Sequence, residues 1–210
     1  MGLEELGSVK IILGSSSQTR QAVLREMGYN FTVMSADIDE RAIRRETPEE
    51  LVMALAHAKA QAILPRITSL ETSDEEVLLI TADQVVVNGG VVREKPLNGD
   101  EARTFIAGYA RDPAITVSAV LVTNVTTGVS NGSIDKAEIY FHPIPEQVID
   151  DLIKEGSVLY AAGGLLVEHP LVSPFVQSMI GTLDSVMGLP KELTHTLIRD
   201  SLSRNKEPNK

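Results

Sequence analysis

The segment from residue 77 to residue 96 restricts the fold of this chain more than any other stretch of its sequence. An apolar run, Val77 to Ile80, leads to the acid Asp83, and a turn-forming Asn88-Gly89-Gly90 follows. This pattern is typical of a buried strand that ends near the acid and of a β-hairpin behind it. The hairpin would return Lys95 toward Asp83, so a carboxylate and an ammonium group are expected at one sheet edge.

The side chains of this segment suit a catalytic or anion-binding site. The carboxylate of Asp83 could hold a metal ion or activate water, and Lys95 and the amide of Gln84 could bind an anion. A plainer interpretation competes with this one, because an acid after a strand often only begins a turn and a lysine after a hairpin is usually solvated. The segment alone leaves both interpretations open.

The composition limits the classes of function. The chain has 210 residues, 43% hydrophobic and 23% charged, which is ordinary for a globular protein with a sizeable core. Its net charge of −10 argues against nonspecific binding to nucleic acid, although a local basic cluster could still hold a small anion. The absence of cysteine excludes disulfides, thiol nucleophiles and thiolate metal sites. No apolar run approaches 18 residues and the N-terminus does not resemble a secretory signal, so we expect a cytoplasmic protein that binds no membrane.

The first 28 residues predict a phosphate-binding loop. A strand over residues 9–13 is followed by small residues at 14–17 and by a helix over 18–27, with Ser17 as its N-cap. Backbone N–H groups at a helix start favour an anion, and Arg20 in the first turn could reach the same anion. An ordinary capped helix with a surface arginine is the alternative.

An acidic loop and a long helix come next. The acids of the loop 37–40 could serve a divalent cation, although such loops are usually solvated. A capping box, Thr47-Pro48-Glu49-Glu50, predicts the start of a helix that ends before Pro65. Lys59 lies near the buried face of this helix, where it would either extend to solvent or meet an anion.

The remaining pattern alternates between strands and helices, which indicates an α/β fold with two lobes around a cleft. Asn131-Gly132 predicts the turn between two of the strands. We expect a flexible N-terminus over 1–8, a single catalytic domain over 9–203 and a polar tail over 204–210. The expected strands cover 115–124, 134–141 and 175–180. We expect Asp100 to cap a helix that runs to Tyr109, Pro145 to start a second helix, and a final helix to run to about Ser203.

Six motifs, in this order, resemble those of the Maf family of nucleoside triphosphate pyrophosphatases, within the inosine triphosphate pyrophosphatase-like superfamily. Each motif alone has low specificity, but six motifs in the right order are a specific signal. The resemblance covers about residues 9 to 200. The motifs are Leu13–Arg20, Asp39-Glu40 with Glu46-Thr47-Pro48, Leu55–Ala60, Ala82–Val86, Lys95-Pro96 and Gly188-Leu189-Pro190.

The resemblance implies a mixed, twisted central sheet flanked by helices, with the active site in a cleft between two lobes. It implies an enzyme that hydrolyses a nucleoside triphosphate to the monophosphate and pyrophosphate, with Asp83 orienting or deprotonating the attacking water. Glu40 and Asp83 would hold a divalent cation, Mg²⁺ in the first place and Mn²⁺ as the alternative. The residues implied to bind substrate are Ser15, Ser17, Arg20, Lys59, Gln84, Lys95 and Glu168.

The position of Glu168 bears on the choice of substrate. The branch of the family that acts on 7-methyl-GTP resembles this chain in having Glu there, while the branch that prefers dTTP and UTP has Gln. A carboxylate accepts two hydrogen bonds from the N1–H and N2–H₂ edge of guanine, whereas an amide suits a pyrimidine. Glu168 could instead be an ordinary exposed charge.

Two departures from the family pattern keep other functions open. Thr19 stands where relatives have an arginine, and Ala161 stands where many have a lysine. The chain could therefore be a pyrophosphatase for 7-methyl-GTP, the same enzyme acting on dTTP or UTP, or a nucleotide-binding regulator without turnover. A homodimer is compatible with each of these.

Overall fold

A computed structural model describes residues 9–68 and 76–203. The expected flexible N-terminus over 1–8 and the expected polar tail over 204–210 lie outside the described residues. Within the described ranges, no helix is both long enough and apolar enough to cross a membrane.

The described elements form an α/β fold, which confirms the predicted class. The strands are β1 Val9–Leu13, β2 Phe31–Val33, β3 Glu76–Asn88, β4 Val91–Arg93, β5 Ala114–Asn124, β6 Ser130–Phe141 and β7 Val176–Ile180. The helices are α1 Gln18–Glu26, α2 Pro48–Thr68, α3 Gly99–Gly108, α4 Glu146–Glu155, α5 Leu183–Val186 and α6 Lys191–Ser203. Short 3₁₀ turns cover Glu40–Ala42, Ser157–Tyr160, Ala162–Gly164 and Ser173–Phe175.

The strands form a seven-stranded mixed sheet. Their order is β2-β1-β3-β5-β6-β7, and β4 pairs with β3 outside this path. β1 is parallel to both β2 and β3, whereas β4 is antiparallel to β3 and β7 is antiparallel to β6. Parallel β1 and β3 place the end of β1 beside Ile80, so the loop after β1 begins next to the middle of β3.

The chain divides into two compact units, each with its own core. The first unit takes its described residues from 1–83, 118–135 and 187–210, and the second takes them from 84–117 and 136–186. The first core includes Leu13, Leu24, Leu78, Ile80, Val120, Leu189 and Ile198. The second core includes Val86, Ile106, Tyr109, Ile139, Phe141, Ile149 and Leu152.

Two predicted helix starts are confirmed by their caps. Ser17 Oγ accepts a hydrogen bond of 3.4 Å from the backbone N–H of Arg20, at the start of α1. The capping box of α2 is reciprocal: Thr47 Oγ1 accepts from Glu50 N, and Glu50 Oε2 accepts from Thr47 N, both at 3.2 Å. Each cap satisfies N–H groups that have no partner inside the helix.

The predicted end of α2 before Pro65 is wrong, because the helix continues to Thr68 with Pro65 inside it. Proline removes one backbone hydrogen bond but does not end a helix whose last turn is held by tertiary contacts. Ile67 in that turn is buried at 1% exposure, and Arg66 Nη1 donates to Ser35 O at 2.7 Å.

The prediction that the strand ends near Asp83 is also wrong. β3 runs on to Asn88, and Asp83 lies in its middle. Val85 and Val86 are both 1% exposed, so burial continues the strand beyond the acid. The predicted hairpin itself is confirmed, because β4 pairs antiparallel with β3 and Val86 lies opposite Arg93.

Two further predictions are wrong, the turn at Asn131-Gly132 and the helix cap at Asp100. In both places another side chain binds the backbone. Asn131-Gly132 lies inside β6, and the turn comes earlier, where Asn124 Oδ1 accepts from the N–H groups of Thr126 and Thr127 at 3.1 Å. Helix α3 is capped by Asn98, whose Oδ1 accepts from Glu101 N at 3.0 Å, and Asp100 is in its first turn.

Candidate functional site

Two carboxylates meet the ammonium group of Lys59 in the first unit. Lys59 Nζ lies 2.5 Å from Asp83 Oδ1 and 2.9 Å from Glu40 Oε1. Lys59 is 9% exposed and Asp83 is 6% exposed, so this pair is largely withdrawn from water. Lys59 therefore does not extend to solvent, and the structure brings together three residues that the sequence placed in one site.

The packing of α2 against β3 explains this arrangement. Thr81 is fully buried, and its Oγ1 donates to Ala56 O of α2 at 2.9 Å. Asp83 follows Thr81 by two residues and points to the same face of β3, while Lys59 follows Ala56 by almost one helical turn. The Thr81 contact thus aligns the helix and strand that carry the ion pair, and the sequence analysis did not identify it.

The predicted phosphate-binding loop lies directly after β1. Ser15 is buried, and its Oγ accepts from Ser17 N at 3.2 Å and from Arg20 Nη1 at 3.4 Å. Gly14 allows the loop to approach β3, because a Cβ at this position would lie 2.6 Å from Thr81 Cγ2. Ser17, the N-cap of α1, also shares a 2.8 Å hydrogen bond with Thr19 Oγ1.

Arg20 joins the first and last motifs of the chain. Its Nε donates to Gly188 O at 3.0 Å, and its Nη1 donates to Ala82 O at 3.0 Å. Burial lowers the pKa of the Arg20 guanidinium, and the charges of Asp83 and Glu40 oppose that shift. Arg20 thus brings a buried positive charge near the two carboxylates, and its role in binding substrate stays a prediction.

The other predicted site residues belong to the second unit. Gln84 Nε2 donates to Ser185 O at 3.1 Å and to Val186 O at 3.0 Å, which fixes the end of α5. Lys95 follows β4 by two residues and is exposed, and Glu168 is exposed in a turn. Their roles in binding substrate stay predictions.

A buried tyrosine in the second unit holds a backbone segment that the sequence analysis did not connect to it. Tyr109 Oη donates to Gly163 O at 2.6 Å, and Gly163 N donates to Glu94 O at 2.9 Å. Burial raises the pKa of Tyr109. Gly163 has a φ of +64°, a conformation that favours glycine. The segment around Gly163 is thereby fixed to the residue that precedes Lys95.

The chemistry of Glu40 and Asp83 fits a divalent cation that also binds a ligand. Both carboxylates lie within 3 Å of Lys59 Nζ, so they are close enough to each other to share one cation. Mg²⁺ is commonly held by one or two carboxylates together with phosphate oxygens and water. Among residues 9–68 and 76–203, no group of three or more His, Asp or Glu side chains could form a complete protein cage.

A groove of about 840 Å³ on the first unit is not lined by Glu40, Lys59 or Asp83. It is lined mainly by α2 and the segment 42–45, with Met53, Ala54 and Ala58 among its apolar residues and Glu49 and His57 among its polar ones. It includes none of the residues predicted for the site.

Comparisons with known proteins agree with the motif order. The family model described as Maf-like protein matches residues 10–201. A 7-methyl-GTP pyrophosphatase of Dictyostelium discoideum is 43% identical over 189 residues, which are 90% of this chain and 95% of that protein. The dTTP/UTP pyrophosphatases of Neisseria meningitidis and Neisseria gonorrhoeae are 27% and 28% identical over 190 residues, 90% of this chain and 93% of each relative. The chain belongs to the Maf family.

Proposed function

We propose that this protein is a nucleoside triphosphate pyrophosphatase, which hydrolyses its substrate with one water to a nucleoside monophosphate and pyrophosphate. Membership of the Maf family and the names of the similar relatives support this proposal. The observation that carries it is the contact of the buried Lys59 with Asp83 and Glu40, in the unit that also contains the loop Ser15–Ser17.

Asp83 acts as the general base in this proposal. Lys59 binds Oδ1, which holds the carboxylate in place and leaves Oδ2 as the atom that receives the proton of the attacking water. The water then attacks the α-phosphorus, the bond from that phosphorus to the bridging oxygen breaks, and pyrophosphate leaves.

The remaining residues bind and orient the phosphates. The N–H groups at the start of α1 and the hydroxyls of Ser15 and Ser17 face the phosphate oxygens, and Arg20 and Lys95 offset their charge. Glu40 and Asp83 would hold Mg²⁺, which supplies positive charge to the phosphates when it is bound. Lys59 has a second purpose in this proposal. Its positive charge reduces the repulsion between the carboxylates of Glu40 and Asp83 before the metal binds.

The proposed substrate is a guanine nucleotide methylated at N7. The relative named for 7-methyl-GTP is 43% identical, against 27% and 28% for the two named for dTTP and UTP. The carboxylate of Glu168 suits the two donors on the N1 and N2 edge of the base. Hydrolysis of dTTP or UTP is the alternative within the family.

The test is a substrate panel with identified products. Purified protein with Mg²⁺ is incubated with 7-methyl-GTP, GTP, dTTP and UTP, and products are separated by chromatography. We expect monophosphate and pyrophosphate in equal amounts, fastest from 7-methyl-GTP. A higher kcat/KM for dTTP or UTP would replace the proposed substrate, and binding without pyrophosphate release would make the protein a nucleotide-binding regulator.

A further inference from the structure

One aromatic side chain stands apart from all others in its exposure. The chain has four tyrosines, four phenylalanines and no tryptophan, and all eight aromatic residues lie in the described ranges. Tyr160 is 82% exposed. The other seven are buried or half-buried: Tyr29, Phe31, Phe105, Tyr109, Tyr140, Phe141 and Phe175. Tyrosine combines a large apolar ring with a polar tip, so an exposed tyrosine ring offers a surface on which a ligand can stack.

The backbone that carries Tyr160 is fixed on both sides. Val158, two residues before it, is fully buried in the core of the second unit. Gly163, three residues after it, is held by Tyr109 Oη and by Glu94 O. The exposed ring is therefore placed by a rigid turn, which lowers the entropy lost when a ligand stacks on it.

The loop that follows Tyr160 also carries Glu168. The carboxylate of Glu155 connects the two ends of this stretch by hydrogen bonds. Glu155 Oε1 accepts from Ser157 Oγ at 3.0 Å, and Glu155 Oε2 lies 3.1 Å from His169 Nε2. Leu171 N donates to His169 Nδ1 at 3.2 Å, so Nδ1 is an acceptor and Nε2 carries the hydrogen donated to Glu155. Glu155 thus ties the turn that ends at Tyr160 to the residue after Glu168.

The chemistry of the two exposed side chains is complementary to one base. Methylation at N7 makes guanine a cation, and the face of a tyrosine ring attracts cations. A carboxylate pairs with the N1 and N2 donors on the edge of the same base. The bases of dTTP, UTP and unmethylated GTP are uncharged, so a tyrosine ring stacked on the base would favour the N7-methylated guanine over all three.

We infer that Tyr160 is a specificity-determining residue that stacks on the N7-methylated guanine whose edge is bound by Glu168. This inference rests on the proposed function and deepens it, since it explains how the positive charge of the methylated base is recognised.

The first experiment compares Tyr160→Ala and Tyr160→Phe with the unmodified protein on 7-methyl-GTP, GTP and dTTP. A cation–π contact of this kind corresponds to about 2- to 30-fold in affinity. We expect Tyr160→Ala to lower the ratio of kcat/KM for 7-methyl-GTP over GTP by a factor in this range, and Tyr160→Phe to retain most of it. Ile180→Ala, which removes another exposed apolar side chain (62%) in the same unit, should leave the ratio unchanged.

A second experiment measures binding without turnover. Because the chain has no tryptophan, Tyr160→Trp introduces a single indole whose fluorescence reports stacking. We expect 7-methyl-GTP to quench this fluorescence at lower concentration than GTP or dTTP, in Mg²⁺-free buffer with a chelator.

The outcomes separate the inference from the proposed function. If 7-methyl-GTP is hydrolysed but Tyr160→Ala keeps the same ratio over GTP, or loses activity equally on all three nucleotides, the inference is overturned and the proposed function stands. If the unmodified protein hydrolyses no nucleotide, the proposed function fails, and selective quenching by 7-methyl-GTP still supports the stacking role. Equal quenching by all three nucleotides contradicts it.

Discussion

Lys59 of α2 and Asp83 of β3 form an ion pair of 2.5 Å in which both side chains are almost fully buried. Removing two charges from water is costly, and the cost is recovered only when both charges remain paired. A pair of this kind is a poor way to gain stability alone. In the proposed function, the pair instead holds the carboxylate of Asp83 in the fixed position that a general base needs.

The buried pair makes Lys59 necessary for stability as well as for activity. Lys59→Met should lower the free energy of unfolding by about 3–5 kcal/mol, because it leaves the buried carboxylate of Asp83 without its partner. Urea denaturation measures this loss. Lys95→Ala is the control, since Lys95 is exposed and its removal should change stability by less than about 0.5 kcal/mol.

The double variant Lys59→Met with Asp83→Asn completes this test. It removes both charges, so we expect much of the stability lost in Lys59→Met to return. Losses that simply add in the double variant would contradict the importance of the buried ion pair.

The Gly163 position tests the conformation of the loop that bears Tyr160. A Cβ on Gly163 would collide with the Tyr109 hydroxyl and lie 2.8 Å from Val86 Cβ, at a φ of +64°. Gly128 also has a positive φ, of +73°, but an added Cβ there would meet no atom within 4 Å. Gly128→Ala should cost about 1–2 kcal/mol from backbone strain alone, and Gly163→Ala about 1–3 kcal/mol more from overpacking. Equal melting temperatures for the two variants would show that the contacts at Gly163 are relaxed at little cost.

The buried Tyr109 predicts a loss of stability in alkali. Burial raises its pKa in the folded state, so the folded protein keeps the phenol protonated while the unfolded chain ionises near pH 10. This contribution to stability is therefore complete below about pH 10 and declines above it, with a slope of up to about 1.4 kcal/mol per pH unit. Burial also raises the pKa of Tyr29, which adds a slope of the same sign.

Tyr109→Phe isolates this contribution. The variant keeps the ring beside Phe141 but loses the hydrogen bond to Gly163, so it should be about 1–2 kcal/mol less stable at pH 7. Above pH 10 the difference from the unmodified protein should shrink. Urea denaturation between pH 8 and pH 11 measures it, and a difference that stays constant over this range would exclude the proposed titration.

Glu168→Gln should shift the choice of substrate. The amide cannot accept two hydrogen bonds from the guanine edge without presenting a donor to it, so kcat/KM for 7-methyl-GTP should fall about 30- to 150-fold relative to dTTP and UTP. Gln177→Glu, a change at an exposed position of β7, is the control for altered charge. A preference for 7-methyl-GTP that survives Glu168→Gln would show that another residue selects the base.

Motif order and local patterns predict much of this molecule. The apolar runs at 9–13 and 77–80, the N-cap Ser17 and the capping box at Thr47 are local signals, and each marks an element of the structure. Where local signals conflict, tertiary contacts decide where a strand or helix ends. Buried Val85 and Val86 extend β3 past Asp83, and buried Ile67 keeps the turn after Pro65 helical. The burial of these side chains depends on neighbours far away in the chain.

In the candidate site too, the sequence predicts the residues but not the contacts between them. The sequence predicts Glu40, Lys59 and Asp83 as site residues, through motifs and their chemistry. It does not show that Lys59 meets both carboxylates or that Arg20 donates to Gly188 and Ala82, because these contacts join segments up to 168 residues apart.

The most direct test of the central claim is the rate of pyrophosphate release by Asp83→Asn. The amide keeps the shape of the side chain but cannot accept a proton from water, so kcat for 7-methyl-GTP should fall at least about a hundredfold. Asp37→Asn, which changes an exposed acid of the loop before Glu40, should retain the rate of the unmodified protein. Circular dichroism confirms that both variants are folded. A kcat of Asp83→Asn equal to that of Asp37→Asn would contradict the assignment of Asp83 as the general base.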